Sequence, residues 1–452
     1  MKKERYSVSF TDGTLWRQLV RFAIPLALTS IIQQLFHSAD TAVLGHYVGA
    51  DAMAAVGCSG PLVNLLLEYF IGLSNSANVV TARFIGAGRN ARANDAVHTA
   101  VLTGICGGFL VGIIGIFLCR PFLRLMSVPE TIFEDAVLYL KIYFSGMPFF
   151  LLNQFLSAVL RSKGDAKTPL WCLTGAGAVN VLCNLLFVLA FDGGIAGVAW
   201  ATVLSTGLGS VLLLFLLMRE EESVRFSFRR LRIDREIFKD MVKIGIPSGF
   251  LGSVFSVSNV CVQSAINSLG TAVVTASSAS ANLEIYIQFF GNAFASAATT
   301  AVSQNYGAHQ LPRCREVIRT SVFVCEIATV FLSAVVFLFG RTFLLLFLTD
   351  AAIIEIAMKR MRYTVLFKFV NAAMDITNGC LQGFGYTLVP ALLSIFGVCG
   401  VRLLWIYTVF PAHHTLDGLM AVYPLTQSFA AVVQTVLCFW YLKKREKGTE
   451  TG

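Results

Sequence analysis

Charge is what this 452-residue sequence has least of. Only 13% of its positions are Asp, Glu, Lys or Arg, about half the share usual in a soluble domain. Against this, 56% are hydrophobic and the mean hydropathy is +0.70. An ordinary soluble domain is excluded. Paired cysteines are also missing: eleven are scattered through apolar segments without Cys-x-x-Cys spacing, so they read as small buried hydrophobes rather than disulfides or metal ligands. Enzyme signatures fail as well. Gly86-Ala87-Gly88 follows an apolar run and lacks the lysine and hydroxyl of a phosphate loop, and His413-His414 has no third ligand nearby. No nucleotide-binding domain is recognisable, so transport driven by the chain's own ATP hydrolysis is excluded, and coupling comes from an ion gradient or is absent. The reading is of a non-enzyme with no cofactor beyond a coupling proton or sodium ion. No separate cleavable signal is expected, because the apolar run after Met1-Lys2-Lys3-Glu4-Arg5 is too long and too polar on one face.

What the sequence has is apolar runs of about 20 residues or more, each able to cross roughly 30 Å of hydrocarbon as a helix. About twelve spans are expected, from 16–44 to 416–442, in an all-α polytopic membrane protein. Lys and Arg gather in alternate connections: Arg83, Arg89 and Arg92, then Arg161, Lys163 and Lys167, then the 219–243 linker, then Arg313, Arg315 and Arg319, then Lys443 to Lys447. The positive-inside rule makes these cytoplasmic, with both termini inside. Arg120, Arg124, Arg341 and the Lys359, Arg360, Arg362 group fall on the predicted outer side, against that rule. The net charge of +9 is then a topology and lipid-headgroup signal, with the bilayer as partner and no nucleic acid. The chain is expected to act as a monomer.

The sequence is also duplicated. Gly86 and Gly307, Phe122 and Phe343, Gly164 and Gly385, Pro169 and Pro390, and Gly197 and Gly418 all differ by 221, while Pro25 and Pro247 differ by 222. A constant offset over half a chain implies two lobes of like topology, the usual plan of a transporter. The expected division is a six-helix lobe at 1–218, a cytoplasmic linker at 219–240 and a second six-helix lobe at 241–452.

Polar residues inside the spans are the candidate site, since a charge near the bilayer centre costs about 2.5 to 3.5 kcal/mol even on the lenient insertion scale. Ser30, Gln33, Gln34, His37, Asp40 and Thr41 recur at helical spacing on the first span. Asp40 is the natural proton or cation acceptor there; the alternative is a plain interhelical hydrogen bond. Asn180 and Asn184 share a face of the fifth span beside Gly175 and Gly177, with Thr202 and the Asn153-Gln154 pair as further cavity candidates. In the second half Ser256, Asn259, Gln263 and Asn267 form one stripe, and Ser280, Glu284, Gln288 and Asn292 another. Lys368 and Asp375 lie two turns apart on the tenth span, where a structural ion pair is the competing reading. Glu284 and Asp375, tempered by Lys368, are expected to give the second lobe an anionic cavity. Glu68 and Glu326 also fall within spans but lack an obvious partner.

Ile24-Pro25, Gln33-Gln34-Leu35, Ala39-Asp40-Thr41, Gly49-Ala50-Asp51-Ala52 and Ala54-Ala55-Val56-Gly57 together resemble the first two helices of bacterial multidrug and toxin extrusion (MATE) transporters. Gly72-Leu73-Ser74, Gly245-Ile246-Pro247-Ser248-Gly249, Gln263 to Asn267, Gln304-Asn305-Tyr306-Gly307-Ala308 and Gly383-Phe384-Gly385-Tyr386 extend the likeness over the whole chain. The resemblance implies two six-helix bundles related by a pseudo-two-fold axis along the membrane normal. It also implies antiport at the bacterial inner membrane, exporting amphipathic, often cationic drugs or toxins for protons or sodium ions. Asp40 matches the family's coupling carboxylate, Gln34, Asn180 and Thr202 its N-terminal cavity, and Asp375 its acidic tenth-helix position. Two residues depart: Asn184 stands where many relatives carry an aspartate, which puts a strict sodium site in doubt, and Gln382 where an arginine is usual. A lipid-linked oligosaccharide flippase is the alternative within the superfamily, one that calls for several cavity cations; an intramembrane enzyme is the alternative from another class.

Overall fold

The computed structural model describes residues 7–126, 128–345 and 348–450. The basic start Met1 to Arg5, read as cytoplasmic, lies outside them. The long helices are α1 (Leu15–Val48), α2 (Ala50–Gly86), α3 (Asn90–Leu125), α4 (Glu130–Ser145), α5 (Met147–Ser162), α6 (Lys167–Ala190) and α7 (Gly194–Met218). The second half continues with α8 (Arg235–Asn267), α9 (Thr271–Gly307), α10 (Leu311–Leu338), α11 (Ala351–Thr364), α12 (Lys368–Gly383), α13 (Leu388–Thr408) and α14 (Val422–Glu450). Strands are absent among the described residues.

Nine described helices are long and apolar enough to span a bilayer, ten when α4 and α5 count as one span bent by 47°. Gly146 separates that pair, and Pro148 lacks the N–H that would join the turns. The two other expected spans fall on α9 and on α11 with α12. Ser, Thr, Asn and Gln lower the hydropathy of α9, and Lys359, Arg360, Arg362, Lys368 and Asp375 that of α11 and α12.

The duplication reappears in the helix boundaries. Both ends of α2 and α9 differ by 221 (50 to 271, 86 to 307), as do those of α5 and α12 (147 to 368, 162 to 383). Three π-helical turns account for the slips in offset, because a π turn holds one residue more than an α turn. One at Leu44–Val48 in α1 lowers the offset from 222 to 221; one at Ile395–Gly400 in α13 raises it, and one at Leu186–Ala190 in α6 restores it.

The chain forms two compact units. Unit 1 gathers Leu28–Gly249 with the described residues before Phe10; unit 2 gathers Phe10–Ala27 with the described residues from Phe250 on. Each of α1 and α8 therefore contributes to both, changing unit two residues beyond Pro25 and Pro247. A helix-interior proline removes one backbone hydrogen bond and loosens the helix at that turn.

Between helices in lipid, close packing replaces hydrophobic drive, so small residues set the contacts. In unit 1, α5 packs among α2, α3 and α7 with Phe144, Phe155, Leu140 and Leu156 buried in and around it. A Cβ on Gly72 would fall 2.3 Å from Gly249 N, and one on Gly249 2.3 Å from Tyr69 O, so the backbones of α2 and α8 touch. In unit 2, α12 packs against α9, where Thr299 Oγ1 donates to Gly379 O at 3.0 Å. The linker is anchored on α3 rather than loose: Asn94 Nδ2 donates to Glu222 O and Arg225 O (2.9 and 2.7 Å), His98 stacks on Phe226, and Arg232 pairs with Asp95 at 2.7 Å.

Candidate functional site

In unit 1 the polar stripe of α1 meets α6 and α7 at Asp40. Asn184 Nδ2 donates to Asp40 Oδ1 and lies 3.3 Å from Asn180 Oδ1, while Thr202 Oγ1 lies 3.5 Å from Asp40 Oδ2. Asn180 Nδ2 donates in turn to Thr202 Oγ1 at 3.5 Å. Helical spacing makes this possible: residues 180 and 184 are one turn apart on α6. Gly177 admits the ring of Phe36, since its Cβ would fall 1.7 Å from Phe36 Cε2; Gly175 faces open space. Asn180 and Asn184 are 4% and 0% exposed, and Asn184 Oδ1 is buried without a hydrogen-bond partner. Tyr139 and Tyr143 lie within electrostatic reach of Asp40. Every described hydrogen-bond donor to this carboxylate is neutral. Gln34, Asn153 and Gln154 are half-buried, and none hydrogen-bonds into the cluster.

In unit 2 a second network forms between α9, α12 and α14. Gln288 Nε2 and Asn371 Nδ2 donate to Asp375 Oδ2 at 2.9 and 2.8 Å, Lys368 Nζ donates to Gln288 Oε1 at 3.0 Å, and Gln427 Nε2 to Asn371 Oδ1 at 3.1 Å. Lys368 and Asp375 are thus bridged by an amide rather than paired directly. Gln263 stands apart, exposed and bonded only to Asn267 within α8.

The expected anionic cavity of unit 2 needs correction. Glu284 is held by Thr364 Oγ1 at 2.6 Å and lies 3.5 Å from Arg360, which also donates to Ser280 Oγ at 2.6 Å. Arg360, which the sequence groups with the outer-side charges, is 9% exposed. A second buried cation, Arg402 on α13, is 3% exposed and packs its guanidinium 4.4 Å from the ring centre of Tyr423. Unit 2 thus holds the cations Lys368, Arg360 and Arg402 beside the carboxylates Glu284 and Asp375. A sequence signal existed for Arg402, a lone charge in the 388–411 apolar run.

A family model described as MatE matches residues 25–186 and 247–408, one copy per half. The chain belongs to the MatE family. It is 27% identical over 396 residues to a probable multidrug resistance protein, YoeA, of Bacillus subtilis (strain 168), covering 86% of each chain. It is 28% identical over 399 residues to a probable multidrug resistance protein, NorM, of Thermotoga maritima, covering 86% of this chain and 84% of that one. A multidrug resistance MATE family transporter of the MOP superfamily, solved in an outward-facing conformation, superposes with a TM-score of 0.89 at 20% identity, covering 99% of this chain and 100% of that one. This MATE chain is a multi-pass bacterial membrane protein of a multidrug efflux transporter family, not of an enzyme family.

Proposed function

We propose that this MATE transporter is a monomeric antiporter of the bacterial inner membrane that exports amphipathic, often cationic small molecules by alternating access, with protons as the coupling ion and sodium as the alternative. The Asp40 cluster carries the reading. Ionised, Asp40 accepts from Asn184 Nδ2; protonated, it has a hydrogen to donate, and a half-turn of the Asn184 amide would present Oδ1, now buried without a partner, to receive it. An asparagine can pair with both states of the carboxyl, whereas a second carboxylate would repel the ionised one. Sodium needs several oxygen ligands, and here an amide nitrogen faces Asp40 instead. Protonation removes a buried charge, a change of about 2.5 to 3.5 kcal/mol on the insertion scale, and each charge moved through 100 mV of membrane potential releases about 2.3 kcal/mol. One proton is thus enough to shift a two-state equilibrium substantially. The test is dye efflux from proteoliposomes under an imposed pH gradient and, separately, a sodium gradient. Wild type is expected to respond to pH. Asp40→Asn, fixed in the neutral state, should bind dye without concentrating it; pH-driven efflux at the wild-type rate by that variant would overturn the assignment.

The buried cations of unit 2 favour a second reading, a flippase for lipid-linked oligosaccharide, whose phosphates would meet them. Flipping of a fluorescent lipid-linked sugar without dye efflux, in the same liposomes, would select it.

A further inference from the structure

Arg402 is the most solvent-shielded cation of unit 2, and no described residue satisfies it. Its Nε is buried without a hydrogen-bond partner, and neither an ion pair nor a hydrogen bond joins its guanidinium to any described residue. What it has is aromatic: Tyr423 at 4.4 Å and Phe255 at 5.9 Å. Stacking could be all that places it there, but a cation–π contact recovers only a fraction of what a guanidinium loses on leaving water. The remaining donors call for an anion.

The duplication shows how special the position is. Past the π turn of α13, the counterpart of Arg402 is Asn180 (402 − 180 = 222), and the counterpart of Tyr423 is Thr202 (423 − 202 = 221). The two halves thus make the same contact: Asn180 with Thr202 in unit 1, Arg402 with Tyr423 in unit 2. In unit 1 the third member is Asp40, whose counterpart by the α1 offset is Val262 (262 − 40 = 222), buried and apolar. One half therefore has a fixed carboxylate with neutral partners, and the other a fixed guanidinium with no carboxylate from the equivalent helix. Around it, Gln427 lies one turn from Tyr423 on α14 and bonds Asn371, and Lys368 is within electrostatic reach of Arg402. Asp375 and Glu284 already receive hydrogen bonds from Gln288 and Asn371, and from Thr364.

We propose that unit 2 binds the carboxylate of an amphipathic cargo at Arg402. This rests on the export reading and deepens it: the cargo class includes zwitterions and acids. The probes are a rhodamine carboxylic acid and its methyl ester, which share one fluorophore and differ in the anion. Binding to the purified full chain in uncharged detergent is read by fluorescence anisotropy. Arg402→Gln is expected to weaken the acid about tenfold, the loss of one hydrogen-bonded charge, while the ester changes less than about twofold. Arg402→Lys should recover part of the acid's affinity, since it keeps charge without the planar fork. Unchanged ester binding shows that the variant is folded. Equal losses for both dyes, or an acid affinity untouched by Arg402→Gln, would overturn the proposal. Transport is scored separately: failure of wild type to export the ester under any gradient, with the binding difference intact, removes the export reading and leaves the site.

Discussion

Asp234 joins linker to helix by accepting the free backbone N–H groups of Glu236 and Ile237 at the start of α8, both at 3.1 Å, while Arg92 Nη1 donates to it at 2.8 Å. The Ile237 hydrogen bond, and then the Arg92 charge, hold its carboxyl below the ordinary aspartate range. A depressed carboxyl stabilises the fold above its unfolded-state value and stops doing so as pH falls through the folded one. Asp234→Ala should therefore cost about 1 kcal/mol at neutral pH, the usual worth of a helix cap. That difference should shrink as pH falls below the ordinary aspartate range and through the lowered folded-state value, read by thermal unfolding in detergent; a constant difference across pH would show that only packing was lost. Single residues were also where the sequence was least legible. Asp40, Asn180, Asn184 and Thr202 could be grouped because helical spacing and desolvation cost pick them out. Arg360 could not, because loop-side charges surround it on both sides and only the packing of α11 against α9 buries it.

Helices were legible to the extent that hydropathy defines them. The α4–α5 pair reads as one span in sequence because its composition is apolar, and the bend at Gly146 and Pro148 leaves no hydropathic trace. Helix contacts are a different matter, since a glycine that touches a backbone and one that faces open space look alike in sequence. Gly72 and Gly57 lie on the same helix: a Cβ at 72 strikes the backbone of Gly249, and one at 57 meets nothing within 4 Å. Gly72→Ala should destabilise the protein by about 1 to 3 kcal/mol through overpacking. Gly57→Ala should be neutral or stabilising by up to about 1 kcal/mol, the helix-propensity gain. Melting temperatures of the two variants decide it; equal values would mean that the α2–α8 approach is looser than the structure has it.

The positive-inside rule, applied to the alternation of Lys and Arg, predicts a cytoplasmic face for both chain ends and the linker, within which Arg229 is exposed. Arg229→Cys should gain no labelling over the parent protein by an impermeant thiol reagent in intact cells, and should label readily in inside-out vesicles. The opposite pattern would invert the topology. Duplication made two units expected from sequence; the exchange of half-helices did not follow from it, because hydropathy runs unbroken through Pro25 and Pro247. That exchange bears on how the protein is made. Phe10 leaves the ribosome 294 residues before Gln304, whose side chain accepts its N–H at 3.1 Å, and Asn305 and Arg313 both donate to its carbonyl. Unit 2 thus cannot close with residues synthesised consecutively, and its earliest segment must stay uncommitted while all of unit 1 is inserted. Contacts of such long separation form late, so assembly of the second unit, not insertion of the first, is where synthesis of this protein is most exposed to chaperones and proteases.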